Sequence, residues 1–113
     1  MDVVNSFAIE HVVNVGGKDL LADLVAMFKD MDVKITEART ALAAGDLAEV
    51  YKSVHALRSG ASNLGLDCLL ECTARIEHKT KAEISEGVSE LLDELEEAYK
   101  TALKELELIV QAE

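Results

Sequence analysis

Proline and tryptophan are absent from this sequence of 113 residues, which also has only two tyrosines and two phenylalanines. Without proline, nothing forces a break inside a run of helix. Because half of the residues are hydrophobic but few are aromatic, the core must be built mainly from Leu, Val, Ile and Ala. This composition favours packed helices, and the length fits a single domain spanning residues 1–113.

Positive charge is also scarce. The chain has 11 Lys and Arg residues against 22 Asp and Glu residues, for a net charge of −11 at pH 7. Nucleic acids and anionic membranes attract surfaces rich in Lys and Arg. We therefore expect neither as a partner, whereas a partner that carries some positive charge is easier to accommodate.

Long apolar runs and cysteine frameworks are missing as well. No apolar run approaches the ~20 residues of a membrane-spanning helix, and the N-terminus MDVVNSFAIE has no signal-peptide pattern. Cys68 and Cys72 alone make neither a disulfide framework nor a zinc site. The sequence thus predicts a cytoplasmic setting, and the start at Met1 favours a stand-alone protein.

Apolar residues recur at helical spacing along nearly the whole chain. The pattern predicts a short first helix that stops at Gly16-Gly17 and a long second helix over residues 19–42. Gly45 fits a left-handed C-terminal cap. Asp46 and Glu49 resemble a capping box, which would start a third helix that ends near residues 63–65.

The same periodicity continues through the second half of the chain. A fourth helix is predicted from about Leu66 through Ile76. Thr80 and Glu83 match a second capping box and would start the last helix, whose apolar seam begins at Ile84. Short connections between long amphipathic helices imply antiparallel neighbours. The predicted fold is therefore all-α: an antiparallel up-down four-helix bundle with a short extra N-terminal helix.

Acidic residues are concentrated at the C-terminal end, where ten of the 22 lie at residue 80 or later. The simplest interpretation is a solvated helix face. Paired carboxylates in a bundle can also hold two metal ions, but that design needs Glu-x-x-His motifs. The residues three before His11, His55 and His78 are Ala8, Lys52 and Arg75. We therefore expect no metal site.

His55 lies in the stretch SVHALRSGASNLG on the third predicted helix. Helical geometry places it roughly 120° from the centre of the apolar face, so that its imidazole should point outward. Tyr51 and Lys52 lie one turn before it and Arg58 one turn after it, and Ser59 and Ser62 follow on the C-terminal side. No acidic residue lies one turn away on this helix to orient the second ring nitrogen.

An exposed imidazole in these surroundings suits group transfer. Neutral imidazole is a nucleophile, and histidine forms covalent intermediates. Nearby cations would stabilise an added phosphoryl group through charge-assisted hydrogen bonds. The sequence has no G-x-x-x-x-G-K-[ST] phosphate loop and no G-x-S-x-G elbow, so the catalytic machinery would belong to a partner. From geometry alone, a surface histidine without a role is an equally good interpretation.

The run H-A-L-R-S-G-A-S-N-L-G from His55 to Gly65 resembles the histidine-containing phosphotransfer (HPt) domain family. The family pattern is roughly H-x-[LIF]-[KR]-[GS]-x-[SA]-x-x-[LIV]-G, followed by a leucine, a cysteine or small residue, and [LI]-E. Leu69, Cys72 and the pair Ile76-Glu77 continue the likeness. The upstream stretches VVNVGGKDLLADLVAMF and ALAAGDLAEV are also similar to the family, so the resemblance covers most of the chain.

The resemblance implies a phosphoryl carrier without ATP-dependent kinase activity of its own. Its histidine would accept a phosphoryl group from the aspartyl phosphate of a response-regulator receiver domain and pass it to another receiver. His55 would be the phosphoacceptor, Arg58 would steady the phosphoryl group, and Ser59 and Ser62 would line its surroundings. The receiver would supply Mg²⁺, and this chain would need no cofactor. A hybrid histidine kinase is a further candidate partner, and a monomer is expected.

Two positions depart from the family pattern. Ser59 stands where glycine is common, with glycine displaced to Gly60, and Thr73 occupies the usual cysteine position. The alternative interpretation is a degenerate HPt-fold adaptor that binds signalling partners through its acidic face without being phosphorylated. The histidine box of sensor kinases fits poorly, because it needs an acid and a proline where this chain has Ala56 and Gly60.

The remaining polar and aromatic candidates are expected to be structural. His11 falls on the apolar stripe of the first helix, which predicts partial burial. His78 lies at the end of the fourth helix, where the helix dipole favours a cation. Tyr51 either packs in the bundle or borders a partner surface, and the sequence does not decide between the two.

Overall fold

The computed structural model describes residues 1–112, which form helices and, within that range, no strand. The helices are α1 (Ser6–Lys29), α2 (Asp32–Ala43), α3 (Leu47–Ser62), α4 (Asp67–Lys81) and α5 (Val88–Gln111). α3 packs between α2 and α4, and α5 closes the bundle against α4, α1 and α2. The predicted all-α four-helix bundle is confirmed. None of the helices in this range has both the length and the apolar character of a membrane span.

The helices in the N-terminal half of the chain do not have all of the predicted boundaries. Gly17, with φ 76° and ψ −175°, is not helical, so α1 consists of two helical segments that meet at the predicted stop, and the second segment continues to Lys29. The segment before this kink corresponds to the predicted extra helix. The predicted long second helix is wrong as a continuous element, since it is interrupted at Asp30 and Met31 between α1 and α2.

A tertiary contact from α5 accounts for the break after Lys29. The hydroxyl of Tyr99 lies 2.9 Å from the carbonyl oxygen of Phe28 and 2.8 Å from that of Lys29, and its single proton is shared between these two acceptors. Carbonyls in the last turn of a helix lack the usual donor four residues further on, and Phe28 accepts instead from the N–H of Met31 at 3.0 Å. The phenol therefore adds a donor where the regular helical hydrogen bonds end. Burial raises the pKa of Tyr99 to about 12, so the donor stays protonated at neutral pH.

The predicted caps are right for α3 and wrong for α5. The carboxylate of Asp46 accepts the N–H of Glu49 at 3.1 Å, as expected. Thr80, by contrast, is buried within α4, where its hydroxyl donates to the carbonyl of Ile76 at 2.9 Å. It cannot cap the next helix from that position. α5 begins only at Val88, so Ile84 lies outside the apolar seam that it was predicted to start.

The core is mainly aliphatic, as the composition predicts. Its largest fully buried side chains are Phe28, Leu57, Leu64, Leu66, Leu69, Ile76, Leu92, Leu95, Leu106, Val50, Val54 and Val88.

His11 is exposed, so its predicted burial is wrong. The buried side of α1 passes through Val12, which leaves the neighbouring stripe of Phe7, His11 and Val15 open to solvent.

Gly65 joins α3 to α4 and also receives the N-terminal segment. Its φ is 65°, and its carbonyl accepts the N–H of Asn5 at 2.8 Å. An added Cβ would lie 2.5 Å from the Cβ of Ala8 and 2.8 Å from that of Asn5. We expect Gly65→Ala to lower the free energy of unfolding by about 3 kcal/mol, because left-handed strain of about 1–2 kcal/mol adds to the overpacking.

Gly45→Ala is the matched control for this variant. Gly45 has φ 75°, which imposes similar backbone strain, but an added Cβ there would meet no atom within 4 Å. The expected loss is therefore only about 1 kcal/mol. Urea unfolding of both variants beside the wild type measures the difference. Equal losses would contradict a packing role for Gly65.

Candidate functional site

His55 lies in the middle of α3, on the side that faces α4. Its neighbours Val54 and Leu57 are buried in the core, so the backbone at this position is held firmly. The side chain of His55 is nevertheless 51% exposed. The imidazole thus points outward, as the helical periodicity predicts.

Glu77 of α4 meets His55 across the contact between the two helices. Its Oε2 lies 2.7 Å from Nδ1 of His55, and its Oε1 accepts a hydrogen bond from NH1 of Arg58 at 2.9 Å. The side chain of Glu77 is only 8% exposed. A carboxylate in such a position needs partners for its oxygens, and each of the two has one.

This contact determines which ring nitrogen of His55 is available. An ionised carboxylate can only accept hydrogen bonds, so Nδ1 of His55 must carry the proton that it shares with Glu77. In a neutral imidazole, the lone pair then resides on Nε2, at the far side of the ring from Glu77. A side chain that forms covalent intermediates is commonly oriented in this way by a neighbouring group.

Glu77 is not among the predicted site residues. Helical spacing along α3 shows only the neighbours on that helix, whereas Glu77 is 22 positions further along the chain. The match of Ile76-Glu77 to the family pattern was the available signal. It marked the position but assigned it no contact with His55.

Arg58 is placed to serve both the carboxylate and an incoming anion. Its side chain is 48% exposed. The guanidinium has five N–H groups, and the hydrogen bond to Glu77 uses one of those on NH1. Other N–H groups can therefore bind a phosphoryl oxygen at the same time. That role of Arg58 remains a prediction.

The two predicted serines lie on the exposed C-terminal side of His55. The hydroxyl of Ser59 donates to the backbone carbonyl of His55 at 3.1 Å, within the same helix. Its small side chain takes up little room beside the imidazole. Ser62 is exposed two turns along α3, roughly 10 Å further along the axis. The part of both serines in the phosphoryl surroundings also remains a prediction.

An aromatic side chain and a second cation complete the cluster. The ring of Tyr51 is stacked on the imidazole of His55, with centroids 5.7 Å apart and planes inclined by 9°. Nζ of Lys81, at the end of α4, lies 5.9 Å from the centroid of the Tyr51 ring. The structure therefore places Tyr51 at the site, where the sequence leaves its position undecided. Lys81 is not predicted by spacing along α3.

The other candidate groups lie away from this cluster. His78 occupies the last turn of α4 beside α5, and Cys72 is buried, which raises the pKa of its thiol. Cys68 is less buried, and its thiol lies 3.6 Å from the carbonyl oxygen of Met1. Over residues 1–112, no three His, Cys, Asp or Glu side chains come together as a metal ion would require.

The Hpt domain family matches residues 23–107, a range that includes His55, Arg58 and Glu77. The chain belongs to the Hpt domain family. Its structure is also similar to the crystal structure of histidine-containing phosphotransfer protein B from Pseudomonas aeruginosa PAO1. The TM-score is 0.89 and the sequence identity 17%, over 96% of this chain and 95% of that one. At this identity the likeness concerns the fold. No curated protein matches the sequence.

Membership of the Hpt family confirms the resemblance found in the sequence motif. The matched range begins in the second half of α1 and ends in α5. It leaves out the segment of α1 before Gly17, although the structural likeness covers 96% of the chain. The helices that carry the His55 cluster lie entirely within the match.

Proposed function

We propose that this Hpt domain carries phosphoryl groups on Nε2 of His55 between receiver domains of a phosphorelay. The observation that carries the proposal is the 2.7 Å contact between Nδ1 of His55 and Glu77. It holds the proton on Nδ1 and leaves a nucleophilic nitrogen on the exposed side of the ring. A surface histidine without a role would not need a buried carboxylate behind it.

The transfer step follows from this geometry. The lone pair of Nε2 attacks the phosphorus of the receiver's aspartyl phosphate, so that an N–P bond forms. The P–O bond to the aspartate breaks, and the aspartate leaves as a carboxylate. The imidazole then carries a positive charge with its proton still on Nδ1, and the Glu77 carboxylate stabilises that charge. In onward transfer, another aspartate attacks the phosphorus and neutral imidazole leaves.

Arg58 links the carboxylate to the transferred group. While NH1 binds Glu77, the exposed remainder of the guanidinium contacts the phosphoryl oxygens. Ser59 keeps the approach to Nε2 free of a large side chain, and its hydroxyl can rotate from the His55 carbonyl to a phosphoryl oxygen. Ser62, further along α3, keeps the side on which the receiver approaches small and polar. The receiver supplies Mg²⁺ and the acidic pocket, so this chain needs no cofactor and has no kinase activity of its own.

The charge around His55 differs in sign from that of the chain as a whole. Lys52 and Lys81 border a cleft between α3 and α4 together with Tyr51 and with Glu49, which pairs with Lys52, and Arg58 lies one turn beyond His55. The three cations still outnumber the two carboxylates, Glu49 and Glu77. The net charge of the whole chain is −11. A local group of cations within an acidic surface is complementary to the acidic pocket of a receiver domain. This supports receivers as the partners, with a hybrid kinase as a further candidate.

Transfer from a receiver domain in the absence of any kinase tests the proposal. Purified receivers are phosphorylated with acetyl phosphate, freed of it, and mixed with the chain and Mg²⁺. We expect the intact mass to increase by one acid-labile phosphoryl group, with a matching shift in a phosphate-affinity gel. Receivers that bind without transferring the group would instead favour the adaptor alternative.

A further inference from the structure

The hydrogen bond from His55 to Glu77 does not by itself hold the plane of the imidazole. The torsion about the bond that joins a histidine ring to its Cβ has broad minima. Hydrogen bonds also tolerate deviations of tens of degrees from linearity. A ring held only through Nδ1 can therefore tilt, and Nε2 at its far side moves most. Transfer to phosphorus is sensitive to such misalignment.

Tyr51 supplies the missing constraint. The two ring planes are within 9° of parallel and their centroids are 5.7 Å apart, as in an offset-stacked pair. An offset stack favours parallel planes and so opposes tilting, which is the motion that the hydrogen bond to Glu77 permits. The two contacts therefore act on different motions of the same ring. Tyr51 lies one helical turn before His55, so the pair is attached to one rigid element.

Lys81 holds the tyrosine in turn. Its Nζ lies 5.9 Å from the centroid of the Tyr51 ring, within the range of a cation–π interaction. Because Lys81 belongs to α4, it ties the Tyr51 ring to the same helix that carries Glu77. Both supports of the imidazole thus depend on the packing of α3 against α4.

We propose that Tyr51 is a positioning residue for phosphoryl transfer at His55, with Lys81 holding its ring in place. The inference rests on the proposed function and adds a residue that no part of the family pattern assigns. The tyrosine ring, and not its hydroxyl group, makes both contacts. Phenylalanine should therefore replace Tyr51, whereas leucine should not.

Phosphoramidate is the donor that isolates this effect, because it is small and requires no docking surface. In this reaction the lone pair of Nε2 forms the N–P bond, the P–N bond of the donor breaks, and ammonia leaves. We expect Tyr51→Leu to react about fivefold more slowly than the wild type, the factor that corresponds to one aromatic pair of ordinary strength. Tyr51→Phe should react at the wild-type rate. Lys81→Met should be about twofold slower.

The NMR signals of the His55 ring provide a readout that does not depend on phosphorylation. Tyr51→Leu should change the NOE contacts of the His55 ring protons with neighbouring residues of α3 and α4, whereas Tyr51→Phe should leave these contacts nearly unchanged. Chemical shifts alone do not report the orientation, because the loss of an aromatic ring changes them in any case. Thermal unfolding confirms that each variant is folded. A wild-type rate in Tyr51→Leu would overturn the proposal, as would a slow rate with unchanged NOE contacts of the His55 ring. Equal slowing by Leu and Phe would also overturn it.

The same experiments distinguish failure of this inference from failure of the proposed function. If the wild type accepts no phosphoryl group from phosphoramidate or from any receiver, the proposed function of His55 is wrong. The NMR comparison of Tyr51→Leu with Tyr51→Phe then still shows whether the tyrosine ring sets the orientation of the imidazole. If the wild type is phosphorylated and Tyr51→Leu matches it in rate, only the positioning role is lost.

Discussion

His55→Gln is expected to abolish phosphorylation of the chain, with a rate at least about 1000-fold below that of the wild type. The amide nitrogen of glutamine is not a nucleophile, although the side chain can still donate a hydrogen bond to Glu77. Because the side chain of His55 is 51% exposed, the change should alter the free energy of unfolding by no more than about 0.5 kcal/mol. The measurement is intact mass after reaction with a phosphorylated receiver and with phosphoramidate.

The two other histidines provide matched controls. His11 lies on the exposed side of α1, and His78 lies in the last turn of α4. His11→Gln and His78→Gln should each take up one phosphoryl group at the wild-type rate. If folded His55→Gln also took up an acid-labile phosphoryl group, the acceptor would be a different residue and the assignment of the site would be wrong.

Glu77→Ala is expected to slow phosphoryl transfer about 100-fold, the effect of losing a group that orients a catalytic base or nucleophile. Alanine provides no acceptor for Nδ1, so the ring of His55 no longer has a fixed tautomer or a counter-charge during transfer. Glu77→Gln should be intermediate, at about tenfold, since its single carbonyl oxygen can replace only one of two acceptors. Rapid-quench single-turnover kinetics with a phosphorylated receiver give these rates.

Glu71→Ala is the control for the loss of negative charge from α4. Glu71 is exposed on the same helix and makes no contact with His55 among the hydrogen bonds and ion pairs of residues 1–112. Its replacement should leave the transfer rate within about twofold of the wild type. If Glu77→Ala were as fast as Glu71→Ala, the buried carboxylate would have no part in the transfer. Denaturant unfolding of both variants shows whether either rate reflects a loss of structure.

Two parts of the candidate site differ in how far the sequence predicts them. His55, Arg58 and Ser59 share one helix, so their spacing along the chain gives their relative positions directly. Glu77 and Lys81 reach His55 and Tyr51 from α4. Periodicity shows which side of each helix is buried. It does not show which residue of α4 lies level with His55, because that register depends on how the two helices pack.

Helix boundaries, too, depend partly on local sequence and partly on contacts between helices. Asp46 caps α3 through a residue three positions away, so the signal is local and readable. The end of α1 depends on Tyr99, which is about 70 residues away in the chain and donates to the last carbonyls of that helix. Thr80 has the spacing of a cap, but it is buried and bonds back into α4. The contacts of the Thr80 side chain, and not the local motif, determine the role of this residue.

The sequence by itself therefore determined the helical class, the outward orientation of His55 and the family. All three follow from apolar spacing and a motif within single helices, where neighbours lie three or four residues apart. Helical spacing also places Tyr51 one turn before His55, but only the tertiary structure decided which carboxylate sets the tautomer of His55 and which cation lies over the Tyr51 ring. Those contacts join α3 to α4 or depend on their packing, and such packing is set by side chains from every helix of the core.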